Sequence, residues 1–267
     1  MPKVKVGDID IYYEIKGEGD PLLLIMGIGG KTTQWRWQVD DLARDFRVIV
    51  FDNRGAGKTD KPDMEYTMKM FADDTAGLLQ ALDINQANVF GISMGGMIAL
   101  ELVCQHPELV KKLILGCTTP GGRNSVVLGK DAQEAMTSNR KLGLEQFYHK
   151  MIPWVFSVDF LAHNPHMGEQ WLALQLENPT PDYSYQRQWE ATMHHNTFRR
   201  LPQISVPTLV ITGSEDKLIP PQNSELMARE IPGAKLVMME GAGHCFFVER
   251  AEETNKIIRD FIKNKTD

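Results

Sequence analysis

VFGISMGG, residues 89–96, sets one serine among three glycines directly behind an apolar run. Read as a flexible turn, the hydroxyl is incidental. Read as a sharp bend between a strand and a helix, the stretch holds Ser93 out as a nucleophile. The second reading requires the glycines. A serine on so tight a turn has strained backbone angles, and side chains two positions away would collide. Glycine removes the collision, and Gly91-Ile92-Ser93-Met94-Gly95 has that spacing. A helix starting there also brings backbone N–H groups, and the positive end of its dipole, beside the serine.

The flanks favour the bend. ANVFGI before it is a short, apolar run suited to a strand buried on both faces, and MGGMIALELVCQH after it is an apolar helix ending before Pro107. Upstream, KVKVGDIDIYYEI reads as a hairpin turning at Gly7-Asp8. PLLLIMG, FRVIVFD, VKKLILGC, VPTLVITG and AKLVMME read as further strands. Helical spacing joins Trp35, Val39, Leu42, Ala43 and Phe46, then Phe71, Thr75, Leu78, Leu79 and Leu82, and finally Thr254, Ile257, Ile258 and Phe261. Strands alternating with helices predict an α/β fold, with a mostly parallel sheet covered on both faces. The rhythm breaks between Thr119 and Pro202. There the strand-like runs stop, and Met, Trp and Phe stand in helical-looking polar surroundings. This predicts a core of residues 1–118 and 203–267, with residues 119–202 inserted as a helical cap.

A chain of 267 residues suffices for one large domain, or a domain with an insertion. Its 42% hydrophobic and 24% charged content is ordinary for a soluble globular protein, and a core of that size needs no metal or disulfide staples. A formal net charge of -6 argues against a nucleic-acid or anionic-membrane partner. Cys104, Cys117 and Cys245 are odd in number and widely spaced, which disfavours a disulfide framework or zinc ribbon. The N-terminus lacks the apolar core of a signal peptide, and no run approaches the roughly 20 apolar residues of a membrane span. The cytosol is the expected location.

Serine is a poor nucleophile near neutral pH, so it needs a base, and the base needs orienting. His244, in GAGHCFFVER, sits in a glycine-rich loop between a strand and the final helix. Such loops at strand C-termini are where open α/β sheets place their ligand sites. The orienting carboxylate should also follow a strand. VITGSEDKLIPP offers Glu215 and Asp216, and Asp216 is preferred. The chain order Ser93, Asp216, His244 carries information, because the same geometry on other folds uses other orders.

With these motifs placed, the sequence resembles the α/β-hydrolase superfamily over nearly its whole length. The resemblance rests on LLLIMGIGG, FDNRGAGKTDKP, GISMGG, VPTLVITGSEDKLIPP and GAGHCFFVE. Within the superfamily it looks most like small esterases, enol-lactonases and related lactonases with a helical cap. The resemblance implies an oxyanion hole formed by the backbone N–H groups of Met94 and Ile28. Losing one such donor typically costs about 2.7–4 kcal/mol of transition-state stabilisation. Met26 departs from the pattern, since many relatives carry histidine there; a backbone donor survives the change. Ser93 sets the chain apart from relatives with aspartate or cysteine at the elbow, and favours acyl transfer to water. The expected activity is cleavage of a small-molecule carboxylic ester or lactone, acyl-homoserine lactones and other medium-chain acyl substrates included. No cofactor or metal is required. The rate should rise with pH as His244 loses its proton near about 6.5. Cofactor-free haloperoxidases, carbon–carbon bond hydrolases and slow-turnover receptors on the same fold also keep the serine.

Other signals are declined. RGAGKT is not a P-loop, because the position five before Gly57 is Asp52. His163, His166 and the pair His194-His195 lack the spacing of a metal motif. Cys245 beside His244 reads as a small buried thiol rather than a second nucleophile. Apolar residues of the insertion either build its own core or face the serine. Trp154, Phe160, Trp171, Trp189 and Met193 are the candidates for a substrate pocket.

Overall fold

Strand β5 (Ala87–Ile92), which leads into Ser93, is buried at every residue and lies in the middle of an eight-stranded sheet. The computed structural model describes residues 2–137, 140–141 and 143–264. The other strands are β1 (Lys3–Val6), β2 (Ile9–Lys16), β3 (Pro21–Ile25), β4 (Arg47–Phe51), β6 (Val110–Gly116), β7 (Thr208–Gly213) and β8 (Lys235–Met239). Their spatial order is β1-β2-β4-β3-β5-β6-β7-β8. The N-terminal hairpin pairs antiparallel, β2 joins β4 antiparallel, and every later pairing is parallel. The doubly covered sheet read from the sequence is thus the observed architecture.

Alternation within each strand builds two cores. Leu23 and Ile25 of β3 face one side, with Phe71, Leu78 and Leu79 of helix α2 (Met68–Ala81) and Ile98 and Leu102 of helix α3 (Met94–Gln105). Leu22 and Leu24 face the other, with Trp35, Leu42 and the terminal-helix residues Ile258 and Ile262. A run apolar at every position is what burial on both faces demands. Helix α1, which precedes both, spans Val39–Leu42.

The helix expected from Trp35 to Phe46 is broken up. A 3-10 turn covers Thr32–Trp35, and α1 is only four residues long. Trp35, Leu42 and Phe46 are nevertheless buried. Their periodicity reported a buried face, which a turn followed by a short helix also provides.

The chain visits β4 on one side of β3 and then returns to pair β5 on the other. That reversal opens a crevice beyond the C-terminal ends of β3 and β5, the place where open α/β sheets bind ligands. Ile28 and Ser93 follow those two strands. Between β6 and β7 run α4 (Lys130–Thr137), α5 (Leu144–Val155), α6 (Val158–His163), α7 (Met167–Leu176) and α8 (Asp182–Met193), then a 3-10 segment at Phe198–Gln203. After β7 come α9 (Gln222–Glu230), α10 (Phe246–Glu249) and α11 (Ala251–Ile262). Among the described residues no helix is long and apolar enough to cross a membrane.

Candidate active site

Ser93 has φ 53° and ψ -124°, a left-handed conformation that a residue with a side chain adopts only at a cost. Its neighbours show why glycine is needed. A Cβ on Gly91 would strike the Gly95 carbonyl, and one on Gly95 would strike the Ile25 carbonyl. The bend is pinned from outside as well. The Ser93 N–H donates to the Gly116 carbonyl at 2.9 Å, and the Thr118 hydroxyl donates to the Ser93 carbonyl at 2.8 Å. Ser93 stands at the N-cap of α3, where a serine hydroxyl ordinarily accepts from the first turn. Here it makes no capping bond, so the hydroxyl is left available.

His244 Nδ1 lies 2.8 Å from Asp216 Oδ2, and both residues are buried. Asp216 Oδ1 accepts the backbone N–H groups of Leu218 and Ile219, each at 2.9 Å. The carboxylate is therefore held by the turn that follows β7, while Glu215 points to solvent. Burial alone would disfavour the His244 imidazolium, but the Asp216 carboxylate, together with the adjacent Cys117 sulfur, outweighs it and raises the His244 pKa well above its ordinary value. Among the described residues no hydrogen bond joins the Ser93 hydroxyl to His244, yet both line one cavity. The backbone N–H groups of Ile28 and Met94 have no acceptor among the described residues.

The loop bearing Ile28 is braced on three sides. Asn53 Nδ2 donates to the Met26 carbonyl at 2.9 Å. Gln188 of α8 accepts the Gly29 N–H at 2.7 Å and donates to the Arg54 carbonyl at 2.8 Å. Lys31 is buried and donates to the carbonyls of Leu174, Gln175 and Glu177, at the end of α7. The RGAGKT loop is organised by Asp52, whose buried carboxylate accepts the N–H groups of Thr32 and Lys58, each at 2.7 Å. A Cβ on Gly57 would collide with that carboxylate.

Two cavities meet at Ser93. An inner chamber of about 100 Å³ is walled by Phe147, Tyr148, Met151, Trp171 and Tyr185 on the helical side, with His244 and Met26 on the sheet side. An outer chamber of about 200 Å³ is walled by Met97, Val126, Val127, Trp189 and Met193. Ile28, Ser93, Met136 and Leu218 belong to both. Trp171 thus faces the inner chamber, and Trp189 and Met193 the outer. Trp154 and Phe160 line neither, which corrects the expectation for those two. Trp154 precedes the inward-facing Val155, and one step along a helix turns a side chain by about 100°. Phe160 lies on α6, which has no buried residue, and stacks on Phe156 at 5.5 Å.

Several residues that shape the site carry no signal in the sequence. Cys117, just after β6, has a left-handed conformation, φ 38°, and is buried. Its sulfur, an Asp216 oxygen and a His244 nitrogen all lie within 4.8 Å of one another. These are the one group of three candidate metal ligands among the described residues, and two of them already bond to each other. His163, His166, His194 and His195 are not part of it. Burial pushes the Cys245 thiol well above its ordinary range, so it is not a thiolate at neutral pH. Glu249 is a second unforeseen residue: its carboxylate accepts the Gly243 N–H at 3.1 Å, next to His244. Its position five residues after His244, inside GAGHCFFVE, is the only signal that could have marked it.

Residues 20–251 match the family described as alpha/beta hydrolase fold. The chain is 28% identical over 261 residues to the protein of Azorhizobium caulinodans that carries the name carbamate hydrolase RutD, covering 98% of each. It is 33% identical over 257 residues to the Mycobacterium tuberculosis protein that carries the name non-heme bromoperoxidase BpoC, covering 95% of this chain and 97% of the relative. The enol-lactonase from Burkholderia xenovorans LB400 superposes with a TM-score of 0.87 at 28% identity, covering 98% of this chain and 100% of that one. The family match over most of the chain, on the sheet order and elbow described above, establishes that this protein belongs to the alpha/beta hydrolase fold family.

Proposed function

We propose that the protein is a serine hydrolase of carboxylic esters, lactones included, working through Ser93, His244 and Asp216 and an acyl-enzyme. The observation that carries this reading is the Ser93 hydroxyl. It is held out in a strained bend, freed from capping, and placed in one cavity with a histidine already paired to a buried carboxylate. His244 takes the Ser93 proton as the oxygen attacks the carbonyl carbon. The N–H groups of Ile28 and Met94 hold the oxyanion. His244 passes the proton to the departing alkoxide, then activates water against the acyl-enzyme. Asp216 fixes the imidazole tautomer and stabilises the imidazolium. A small uncharged ester fits a site whose walls are largely apolar, and the relatives named for carbamate and enol-lactone hydrolysis support acyl transfer to water.

The test is turnover of short esters and simple lactones by wild type and Ser93→Ala. Ser93→Ala should lose activity by a factor on the order of 10³ or more. Equal rates would end the reading.

A further inference from the structure

Of the two chambers that meet at Ser93, only the inner one contains His244. Resting on the ester-hydrolase reading above, we propose that the inner chamber receives the alcohol part of the substrate and the outer chamber its acyl part. The substrate class this selects is open-chain esters pairing a small alcohol with an extended, apolar acyl chain.

The bond changes determine the direction. Ser93 Oγ bonds to the carbonyl carbon, and its proton moves to His244. The bond from that carbon to the alkoxy oxygen then breaks, its electrons staying on the oxygen, and His244 returns the proton there. The alkoxy oxygen must therefore face His244. The carbonyl oxygen is turned toward Ile28 and Met94. The acyl carbon chain is left with the remaining exit, past Met94 and Met97 into the outer chamber.

The walls agree with this division. The inner chamber offers about 100 Å³ among buried aromatic side chains, which limits the alcohol to a small group. The outer chamber offers about 200 Å³. Its lining includes Val126, Val127 and Met193, which are 46%, 70% and 52% exposed. Large apolar side chains so exposed mark a surface that is covered in use. An acyl chain longer than the chamber would lie across them. A small lactone ring ties its acyl and alkoxy arms together and cannot send them to separate chambers, so it forgoes one of the two sets of contacts.

The experiment compares two ester series by titration of released acid. Methyl esters run from acetate to octanoate, and acetate esters run from methanol to octanol. The methyl series should gain about fourfold in kcat/KM per added methylene until the chamber is filled. The acetate series should fall once the alcohol exceeds a few carbons. Val127→Asp and Met193→Glu, both at the exposed rim, should each lower the octanoate-to-acetate ratio of kcat/KM at least fivefold. A flat methyl series with a rising acetate series overturns the assignment, as do rim variants that alter only the alcohol profile. If no ester in either series shows turnover that Ser93→Ala abolishes, the hydrolase reading itself falls and takes this assignment with it.

Discussion

Glu249 grips Ser157 through both carboxylate oxygens: Oε1 accepts the Ser157 N–H at 2.8 Å and Oε2 accepts its hydroxyl at 2.9 Å. Ser157 joins α5 to α6, while Oε1 also accepts from Gly243, beside His244. One half-buried carboxylate therefore ties the histidine loop to the helical insertion. Glu249→Ala leaves these donors unmatched and should destabilise the fold by about 2–4 kcal/mol, measured by urea unfolding. Burial raises the Glu249 pKa above its ordinary value, so the folded state holds that proton more tightly than the unfolded chain. Its contribution to stability therefore declines as pH rises from the ordinary carboxylate range through the raised value. Glu249→Gln should remove that decline, and equal pH slopes for the two proteins would contradict it.

The His244–Asp216 pair sets the pH profile. Because Asp216 outweighs burial and raises the His244 pKa, the activity midpoint should lie above the 6.5 expected of an isolated histidine. Activity requires the neutral imidazole, so the rate rises with pH through that midpoint. The pair's contribution to stability has the opposite slope: it is fully present below the unfolded value and is lost as pH rises through the folded one. Asp216→Asn should lower the midpoint and reduce kcat by a factor on the order of 10³–10⁴. An unshifted midpoint in a pH–rate series would show that Asp216 does not govern the base.

Gln188 of α8 braces the loop that carries Ile28, the proposed oxyanion donor. Gln188→Leu removes the acceptor for Gly29 and the donor to Arg54. If that brace positions the adjacent Ile28 N–H, kcat should fall on the order of tenfold with KM little changed, the pattern of a contact made in the transition state. Gln188→Glu keeps the acceptor and should recover part of the loss. A change confined to KM would assign Gln188 to substrate binding instead.

Lys31 closes the end of α7 with a buried ammonium. Burial pulls its pKa from 10.5 down to about 8. Below that value both folded and unfolded chains carry the proton. Between about 8 and 10.5 the unfolded chain holds it more tightly, so the wild type gains stability relative to Lys31→Met as pH rises. At pH 7, Lys31→Met should still unfold more easily, by roughly 1–3 kcal/mol, because the carbonyls at the end of α7 lose their donor. Chemical denaturation at pH 7, 8.5 and 10 reads both effects.

The sheet was legible because strands buried on both faces must be apolar at every position, as Leu22–Ile25 and Val89–Ile92 are. Ser93 was legible because the bend around it demands glycine at fixed spacing. Asp216 and His244 followed from their places after strands. The failures share a cause. Gln188 meets Gly29 across 159 residues, and Lys31 meets Gln175 across 144, each through a backbone atom that any residue could supply. Such contacts leave no trace in side-chain pattern. Residue type alone marks Trp154 and Phe160 as pocket candidates, whereas helix phase and the lack of burial along α6 decide which way a ring faces.

The insertion's attachments have a consequence for how substrate comes and goes. Gln188 and Lys31 grip the loop that carries Ile28, while the Val155 carbonyl accepts the Cys245 N–H at 2.7 Å and Ser157 holds Glu249, both beside His244. Swinging these helices away as a hinged lid would pull on Ile28 and His244 together, the proposed oxyanion donor and base. On the proposed reading, substrate and product would pass instead through the gap framed by Val126, Val127 and Met193, and an ester hydrolase so built would turn over without taking its own machinery apart.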